Sequence, residues 1–413
     1  MRKSGGAAIH MQQNSTENQI SFLVADESFL ENCPSTPVKT PFDKDVLDYL
    51  DCVSKKLLSS PASKLYPDVI TFAFWIRRAS INTYKNAIVS KEGQRVVGRG
   101  VVFHVAPSNV AVNFAYSLVS GLLAGNINIV RVPSKQFPQV NIIASAIKST
   151  LEEHPCMSDY VCLIRYGHDK DINDRLSLLS DVRIIWGGDE TISIFRESPL
   201  KPRATEILFA NRFSIAIIDS ETYLGTKDKK RVAQDFYNDT YLTDQNACSS
   251  PRVIVWMGKD REKAKTDFWH NVHEVVSEKY RFQQIQGVDK YLQVCLTATK
   301  LPGSRSETSE DNLITRIHID CLEKNVTACF GNSGLFLEYD AADISEIMNL
   351  CDDNRCQTVT YLCDPEIFDP LLNAGLKGVD RIVPFGKSMD FELVWDGYDL
   401  ITQLSRIIRI RTK

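Results

Sequence analysis

Residues 101–154 read VVFHVAPSNVAVNFAYSLVSGLLAGNINIVRVPSKQFPQVNIIASAIKSTLEEH, and this stretch decides the fold. VVFHV is an unbroken apolar run of strand length, stopped by Pro107-Ser108-Asn109. VNFAYSLVSGLLAGN then carries apolar residues at helical spacing and closes on Gly125-Asn126. INIVRVPS repeats the strand and FPQVNIIASAIKSTLEEH the helix. Three further strands of the same buried type follow at VCLIRYG, VRIIWGGDE and FSIAIID. Strands that alternate with helices build a parallel, doubly wound sheet, and such sheets bind ligands beyond the carboxyl ends of their strands.

Working outward, DKDVLDYLDCVSKKLLSS and DVITFAFWIRRASINTYK read as two amphipathic helices ahead of the sheet. Residues 1–18 are polar and, with a second methionine at Met11, read as a disordered leader. C-terminal to the first sheet, the helix RVAQDFYNDTYLT leads into DQNACSSPR and the strand VIVWMG, with a long helix through DFWHNVHEVVSEKYRF. LPGSRSETSEDN, residues 301–312, reads as a polar surface loop. The expected division is a nucleotide-binding domain over 19–222, a cysteine-bearing domain over 223–392 and a terminal arm over 393–413.

The chain's 413 residues carry 48 Lys+Arg against 52 Asp+Glu, a net charge of -4 that offers no field for nucleic acid or an anionic membrane. Its 11 cysteines are odd in number and dispersed, without the paired spacing of a zinc site, so they are expected to be reduced thiols of a cytoplasmic protein. No apolar run reaches the roughly 20 residues of a spanning helix, so no integral membrane contact is expected.

Three segments could carry chemistry. Cys248 lies in the small, polar stretch Asp244-Gln245-Asn246-Ala247-Cys248-Ser249-Ser250, the setting a thiolate nucleophile needs, although a cysteine is more often a small buried hydrophobe. Asn109, past a strand end, could donate to an oxyanion or simply cap a helix. Gly187-Gly188-Asp189 follows a strand and opens a helix, which suits close approach of a pyrophosphate and equally suits a plain strand-to-helix connection. His104, within the strand before Asn109, reads as a packed core histidine.

In their collinear order these segments resemble the aldehyde dehydrogenase superfamily, most closely its LuxC branch, the fatty acyl-CoA reductases. APSNVAVN looks like that superfamily's Pro-aromatic-Asn segment, VPSKQFP like its Lys-Pro-Ser-Glu segment, WGGDETI like its Gly-Ser-Thr-Glu turn and DQNACSSPR like its Gly-Gln-x-Cys loop. FGNSGLFLEYD and the Pro-Phe-Gly turn of GVDRIVPFGKSMDFELVWDGYDLI complete the match, the WDGYDLI stretch being similar to the LuxC branch in particular.

The resemblance implies an aldehyde-dehydrogenase-like α/β fold: a Rossmann-type cofactor domain, an α/β catalytic domain and a small β arm for oligomerisation. It implies Cys248 as acyl-accepting nucleophile and Asn109, with the Cys248 backbone N–H, as oxyanion donors. The superfamily's water-activating Glu is replaced by Leu208, with Glu206 on the same side of the strand as the candidate acid or base. That loss argues against oxidation to a free acid and for acyl transfer to or from a thiol. Arg131, Pro133, Ser134 and Lys135, with Gly187, Gly188 and Asp189, are the implied cofactor contacts. Val132 stands at the usual Lys position, and Lys135 replaces a ribose-binding Glu, so NADPH is favoured. Ala328 stands where a Glu often holds the nicotinamide ribose.

The expected partners are an acyl-CoA or acyl-protein donor, an acyl-protein synthetase and a second copy of the chain, paired through Ile407, Ile408 and Ile410 of the terminal strand. The rival readings are a short-chain CoA-acylating aldehyde dehydrogenase, a γ-glutamyl-phosphate-reductase-like enzyme, or a silent scaffold for an acyl-activating partner.

Overall fold

The structure is a computed structural model and describes residues 20–87, 93–108, 110–322 and 324–411. The leader read in residues 1–18 and the last two residues of the arm lie outside the described residues. The chain forms two compact units, one comprising the described residues up to Phe209 together with those from Leu400 on, the other Ala210–Asp399.

In the first unit, the helix Lys44–Ser59 buries Val46, Leu47, Tyr49, Leu50, Val53 and Leu57, the 3.6-residue stripe its sequence sets out, and the Asp43 side chain caps it. The single helix expected over DVITFAFWIRRASINTYK is instead two, Pro67–Trp75 and Arg78–Ala87. Ile76 leaves the helix and is fully buried, while the Arg78 N–H turns to the Asp51 carboxylate at 3.3 Å.

The first unit's strands are β1 (Ser21–Val24), β2 (Gln94–Gly98), β3 (Val101–Val105), β4 (Ile127–Arg131), β5 (Val161–Arg165), β6 (Val182–Trp186) and β7 (Thr205–Phe209). Six form one sheet in the order β1-β5-β4-β3-β6-β7, parallel except for β1, which adds antiparallel to β5. Helices cover a parallel sheet on both faces, which is why β3 and β6 are buried at every position. The parallel part of the sheet starts at β3 and builds outward in both directions, so the strand order reverses there, with the ends of β4 and β6 on either side.

The second unit contains β8 (Phe213–Asp219), β9 (Pro251–Met257), β10 (Arg305–Thr308), β11 (Thr315–His318), β12 (Leu335–Asp340), β13 (Cys356–Leu362), β14 (Arg381–Pro384), and the short β15 (Val394–Trp395) and β16 (Tyr398–Asp399). Its main sheet has the order β10-β11-β12-β9-β8-β13-β14. One face presents Ile215, Ile217, Val253, Val255, Leu335 and Leu337 to one core; the alternate residues Ala216, Ile218, Ile254, Trp256 and Phe336 enter the other.

Two expectations change here. FSIAIID was read with the first sheet, but as β8 it pairs with β9 and β13 in the second. The division therefore falls after Phe209 rather than at 222, because two equally apolar runs are sorted by partner and not by composition. The polar loop at 301–312 contains β10, antiparallel to β11 from Arg305↔His318 to Thr308↔Thr315. All four of its residues are exposed, so its polarity is that of a solvated edge strand.

The last strand, β17 (Ser405–Arg409), pairs antiparallel with β2 of its own unit, from Ser405↔Gly98 to Arg409↔Gln94. The arm expected from residue 393 thus begins at 400, since β15 and β16 belong to the second unit.

Candidate active site

The loop before β9 is built around strain that its neighbours hold in place. Asp244 and Gln245 adopt left-handed backbone angles, φ 53° and 56°, which cost non-glycine residues about 1–2 kcal/mol each. Gln245 is fully buried, and its amide donates to the carbonyls of Pro251 and Leu335, both at 3.2 Å. Its Oε1 accepts from the N–H groups of Gly334 (2.7 Å) and Leu335 (3.2 Å). Arg252 donates to the Gln245 carbonyl at 2.6 Å, to the Gly331 carbonyl at 2.7 Å and to Asn332. Asp244 accepts from Tyr280 Oη–H and Gln286 Nε2.

Cys248 follows on this fixed loop, half-buried, whereas Cys33, Cys162, Cys329, Cys351, Cys356 and Cys363 are sealed in cores. Its carbonyl accepts from Ser214 Oγ–H at 2.8 Å, and that oxygen accepts the Thr358 N–H at 3.2 Å, which ties the cysteine to β13. Burial pushes the thiol up to about 11 and the Asp396 carboxylate pushes the same way, while a hydrogen bond from Gln357 and the Arg212 charge favour the thiolate. Arg252 and Arg381 also interact with it. The resting thiol is protonated near neutrality, in surroundings with three guanidinium groups that reward its ionisation.

The sequence reading missed the polar groups behind the loop. Asp396 is buried at φ 50° and accepts from Gln357 Nε2; burial raises its carboxyl to about 6. The signal was the Asp396-Gly397 dipeptide, whose members both take positive φ. Asp239, also raised to about 6 by burial, accepts the N–H groups of Gly386 (2.7 Å) and Ser388 (3.0 Å) and so anchors the Pro-Phe-Gly turn.

Within the first unit, the residues expected to hold a cofactor lie at the carboxyl edge of the sheet. Lys135 is exposed beyond β4, its Nζ 5.1 Å from the Phe137 ring centroid, and forms no ion pair with any described residue. Ser134 beside it is exposed and Pro133 buried, the Pro133 carbonyl accepting from Arg165 Nε at 3.3 Å. Arg131 is turned inward: it lies over Tyr166 (4.6 Å) and donates to the carbonyls of Tyr166 (3.4 Å) and Gly167 (3.2 Å). Beyond β6, the Gly187 N–H donates to the Phe209 carbonyl at 3.2 Å, and Gly188 is the N-cap of the helix Asp189–Arg196. Asp189 and Glu190 occupy that helix's first turn and place negative charge there, whereas Lys135 beyond β4 is an exposed cation.

Asn109, the expected oxyanion donor, lies outside the described residues. Glu206, the candidate acid or base, is engaged elsewhere. Its Oε1 accepts from Nε (2.9 Å) and Nη2 (2.6 Å) of Arg183, a guanidinium only 1% exposed, and Arg196 flanks it at 3.6 Å. The carboxylate neutralises a buried cation. His104 is a core residue: it shares hydrogen bonds with Ser117 Oγ (2.7 Å) and Asn128 Oδ1 (3.0 Å), and burial lowers it to about 4. Among the described residues no cluster is placed to hold a metal ion, and no helix is long and apolar enough to cross a membrane.

The family model described as acyl-CoA reductase (LuxC) matches residues 77–409. The long-chain acyl-protein thioester reductase of Aliivibrio fischeri is 24% identical over 327 residues, covering 75% of this chain and 63% of that protein. Its counterpart from Photobacterium phosphoreum is 25% identical over 326 residues, covering 76% and 63%. The chain thus spans under two thirds of the length of these relatives. Among solved structures, an NAD-dependent benzaldehyde dehydrogenase from Corynebacterium glutamicum superposes with a TM-score of 0.64 at 12% identity, covering 95% of this chain and 94% of that one. A point mutant of the 1-pyrroline-5-carboxylate dehydrogenase of Thermus thermophilus gives 0.63 at 12%, covering 93% and 83%. The fold is therefore that of the aldehyde dehydrogenases.

Proposed function

The chain belongs to the acyl-CoA reductase (LuxC) family, and from that premise we propose that it reduces a fatty acyl thioester to the aldehyde, with NADPH as reductant and an acyl-cysteine at Cys248 as intermediate. The observation that carries the reading is the loop: a half-buried thiol on strained, fully clamped backbone, with guanidinium groups and the Asp396 carboxylate around it. The Cys248 sulfur bonds to the acyl carbonyl carbon, the bond to the donor sulfur breaks, and the donor thiol leaves with a proton. The Cys248 backbone N–H and Asn109 are assigned to the oxyanion. Fixing the loop in advance spares the cost of ordering it during attack.

Lys135, Ser134 and the Gly187-Gly188 turn are assigned to the cofactor: an exposed cation with no acidic partner among the described residues suits a 2′-phosphate, and glycine lets phosphate approach the main chain. Pro133 is buried beside Ser134 and accepts from Arg165, whereas Arg131 is turned inward to Tyr166 and Gly167. When bound, NADPH supplies the hydride that takes the acyl-cysteine to the aldehyde level. The relatives named as acyl-protein thioester reductases support a protein-borne acyl group as the donor alongside acyl-CoA, and an acyl-protein synthetase is the partner we assign to deliver it.

The test is incubation with a labelled long-chain acyl-CoA. A hydroxylamine-sensitive adduct is expected on Cys248, chased to aldehyde by NADPH; no adduct, or one that persists in Cys248→Ser, removes the assignment. We also assign homo-oligomer formation to β17, whose Ile407 is 59% exposed and which pairs with β2 alone among the described strands. Deleting residues 402–413 should convert a dimer to monomer or aggregate in sedimentation, and an unchanged oligomer refutes the arm.

A further inference from the structure

We propose that Gln357 and Asp396 form a positioning pair for the Cys248 thiolate, in which the Gln357 amide donates to the sulfur and Asp396 both orients that amide and opposes the sulfur's charge. The proposal rests on Cys248 being the acyl acceptor, yet its test reads the thiol directly.

The geometry comes from three sources. Gln357, the second residue of β13, has no exposed surface, and its Nε2 donates to Asp396 Oδ1, a contact that spans 39 residues of sequence. The Gln357 Oε1 is buried and has no hydrogen-bond partner among the described residues, and the neighbouring Thr358 Oγ1 is in the same condition. Buried polar atoms left without partners are costly and concentrate where a protein binds or reacts. Finally, the Ser214 hydroxyl bridges the Cys248 carbonyl to the Thr358 N–H, fixing the cysteine backbone beside Gln357.

Asp396 is held there at some cost. It takes a left-handed backbone at φ 50° and is 8% exposed. Its surroundings are Gln357, Cys248, Arg212, Asp380 and Arg381. Arg212 is paired to Asp380 and donates to the Cys356 carbonyl, while Arg381 lies 4.2 Å over the Trp395 ring and donates to the Ser388 and Asp390 carbonyls. Neither guanidinium is hydrogen-bonded to Asp396, so among the described residues its side chain has the Gln357 amide as its one such partner.

The pair acts in opposite senses. Burial raises Asp396 to about 6, so it is ionised at and above neutral pH, and two anions close together disfavour one another. On the thiol, the Asp396 charge outweighs the Gln357 hydrogen bond. Burial and the carboxylate together keep Cys248 protonated at rest, and the amide holds the thiolate in one place once it forms.

The experiment is the pH dependence of iodoacetamide alkylation at Cys248, followed by mass spectrometry on the full-length chain. Asp396→Asn keeps an acceptor for Gln357 and tolerates positive φ but removes the charge; its midpoint should fall by about one pH unit, a roughly tenfold faster alkylation at pH 8. Gln357→Leu should move the midpoint upward. Opposite shifts support the pair; an unmoved midpoint in either variant, or shifts in one direction, overturns it. Should Asp396→Asn fail to fold, Asp396→Gly keeps the left-handed backbone and carries the same expectation. If the shifts appear while Cys248→Ser still turns over, the pair stands and the acyl-acceptor reading falls.

Discussion

The carboxyl edge of the first sheet and the loop before β9 were both marked by the sequence as chemical, yet the structure builds them in opposite ways. The Cys248 loop is over-determined: Gln245 uses both amide hydrogens and its oxygen, and Arg252 fixes the backbone from a second side. The edge proposed for the cofactor is lightly built, with an exposed lysine and a glycine turn whose Gly187 N–H bonds to the Phe209 carbonyl. A nucleophile, the role proposed for Cys248, must meet a carbonyl within a fraction of an ångström, and hydrogen bonds that fix its loop serve that end. A dissociable cofactor is held by many weak contacts, and its edge stays open.

The largest effect expected from this contrast is at the thiol. Cys248→Ser should lower NADPH-dependent aldehyde formation on the order of 10³-fold or more, because a serine hydroxyl is a far weaker nucleophile than a thiolate and no histidine stands among the residues named around it. Unfolding midpoints in urea should not move. Substantial turnover by the serine variant removes the contrast's central term.

Next is Glu206, which separates a structural carboxylate from a catalytic one. Glu206→Ala leaves the Arg183 charge buried and uncompensated and should cost about 3–5 kcal/mol of stability. Urea denaturation measures this, and the thiol's alkylation rate in the folded fraction should be unchanged. A stable variant with lost turnover would restore Glu206 as an acid or base.

A smaller loss is expected for the clamp. Gln245→Leu strips partners from the Gly334 and Leu335 N–H groups, costing about 2–3 kcal/mol, and should slow acylation of Cys248 more than alkylation by a small reagent. Equal slowing of both would mean that the loop's rigidity serves the fold alone.

What the sequence made legible follows from how local each signal was. The strands β3, β4, β5 and β6 and the Cys248 loop announce themselves through apolar runs and turn residues a few positions apart. The sheet to which β8 belongs depends on β9 and β13, which no local pattern encodes. The same holds within the site. Cys248 could be picked from its polar neighbours, but Gln357 and Asp396 reach it across distant segments, and a glutamine at a strand start has no signature. Strand alternation gives the side Glu206 faces and not the buried Arg183 paired with it there.

The smallest expected effect tests the open edge. Lys135→Glu should reduce the preference for NADPH over NADH about tenfold, read as the ratio of kcat/KM values. Reversing a charge beside a 2′-phosphate changes attraction into repulsion, but Lys135 is solvated and its contribution is screened within about 8–10 Å at ordinary ionic strength. The shift should therefore shrink as salt rises. Arg131 provides the internal comparison: its guanidinium is occupied by Tyr166 and Gly167, so Arg131→Leu should disturb stability more than selectivity. Selectivity that follows Arg131 and ignores Lys135 would show that the cofactor edge, like the cysteine loop, reads its ligand with buried and fixed groups.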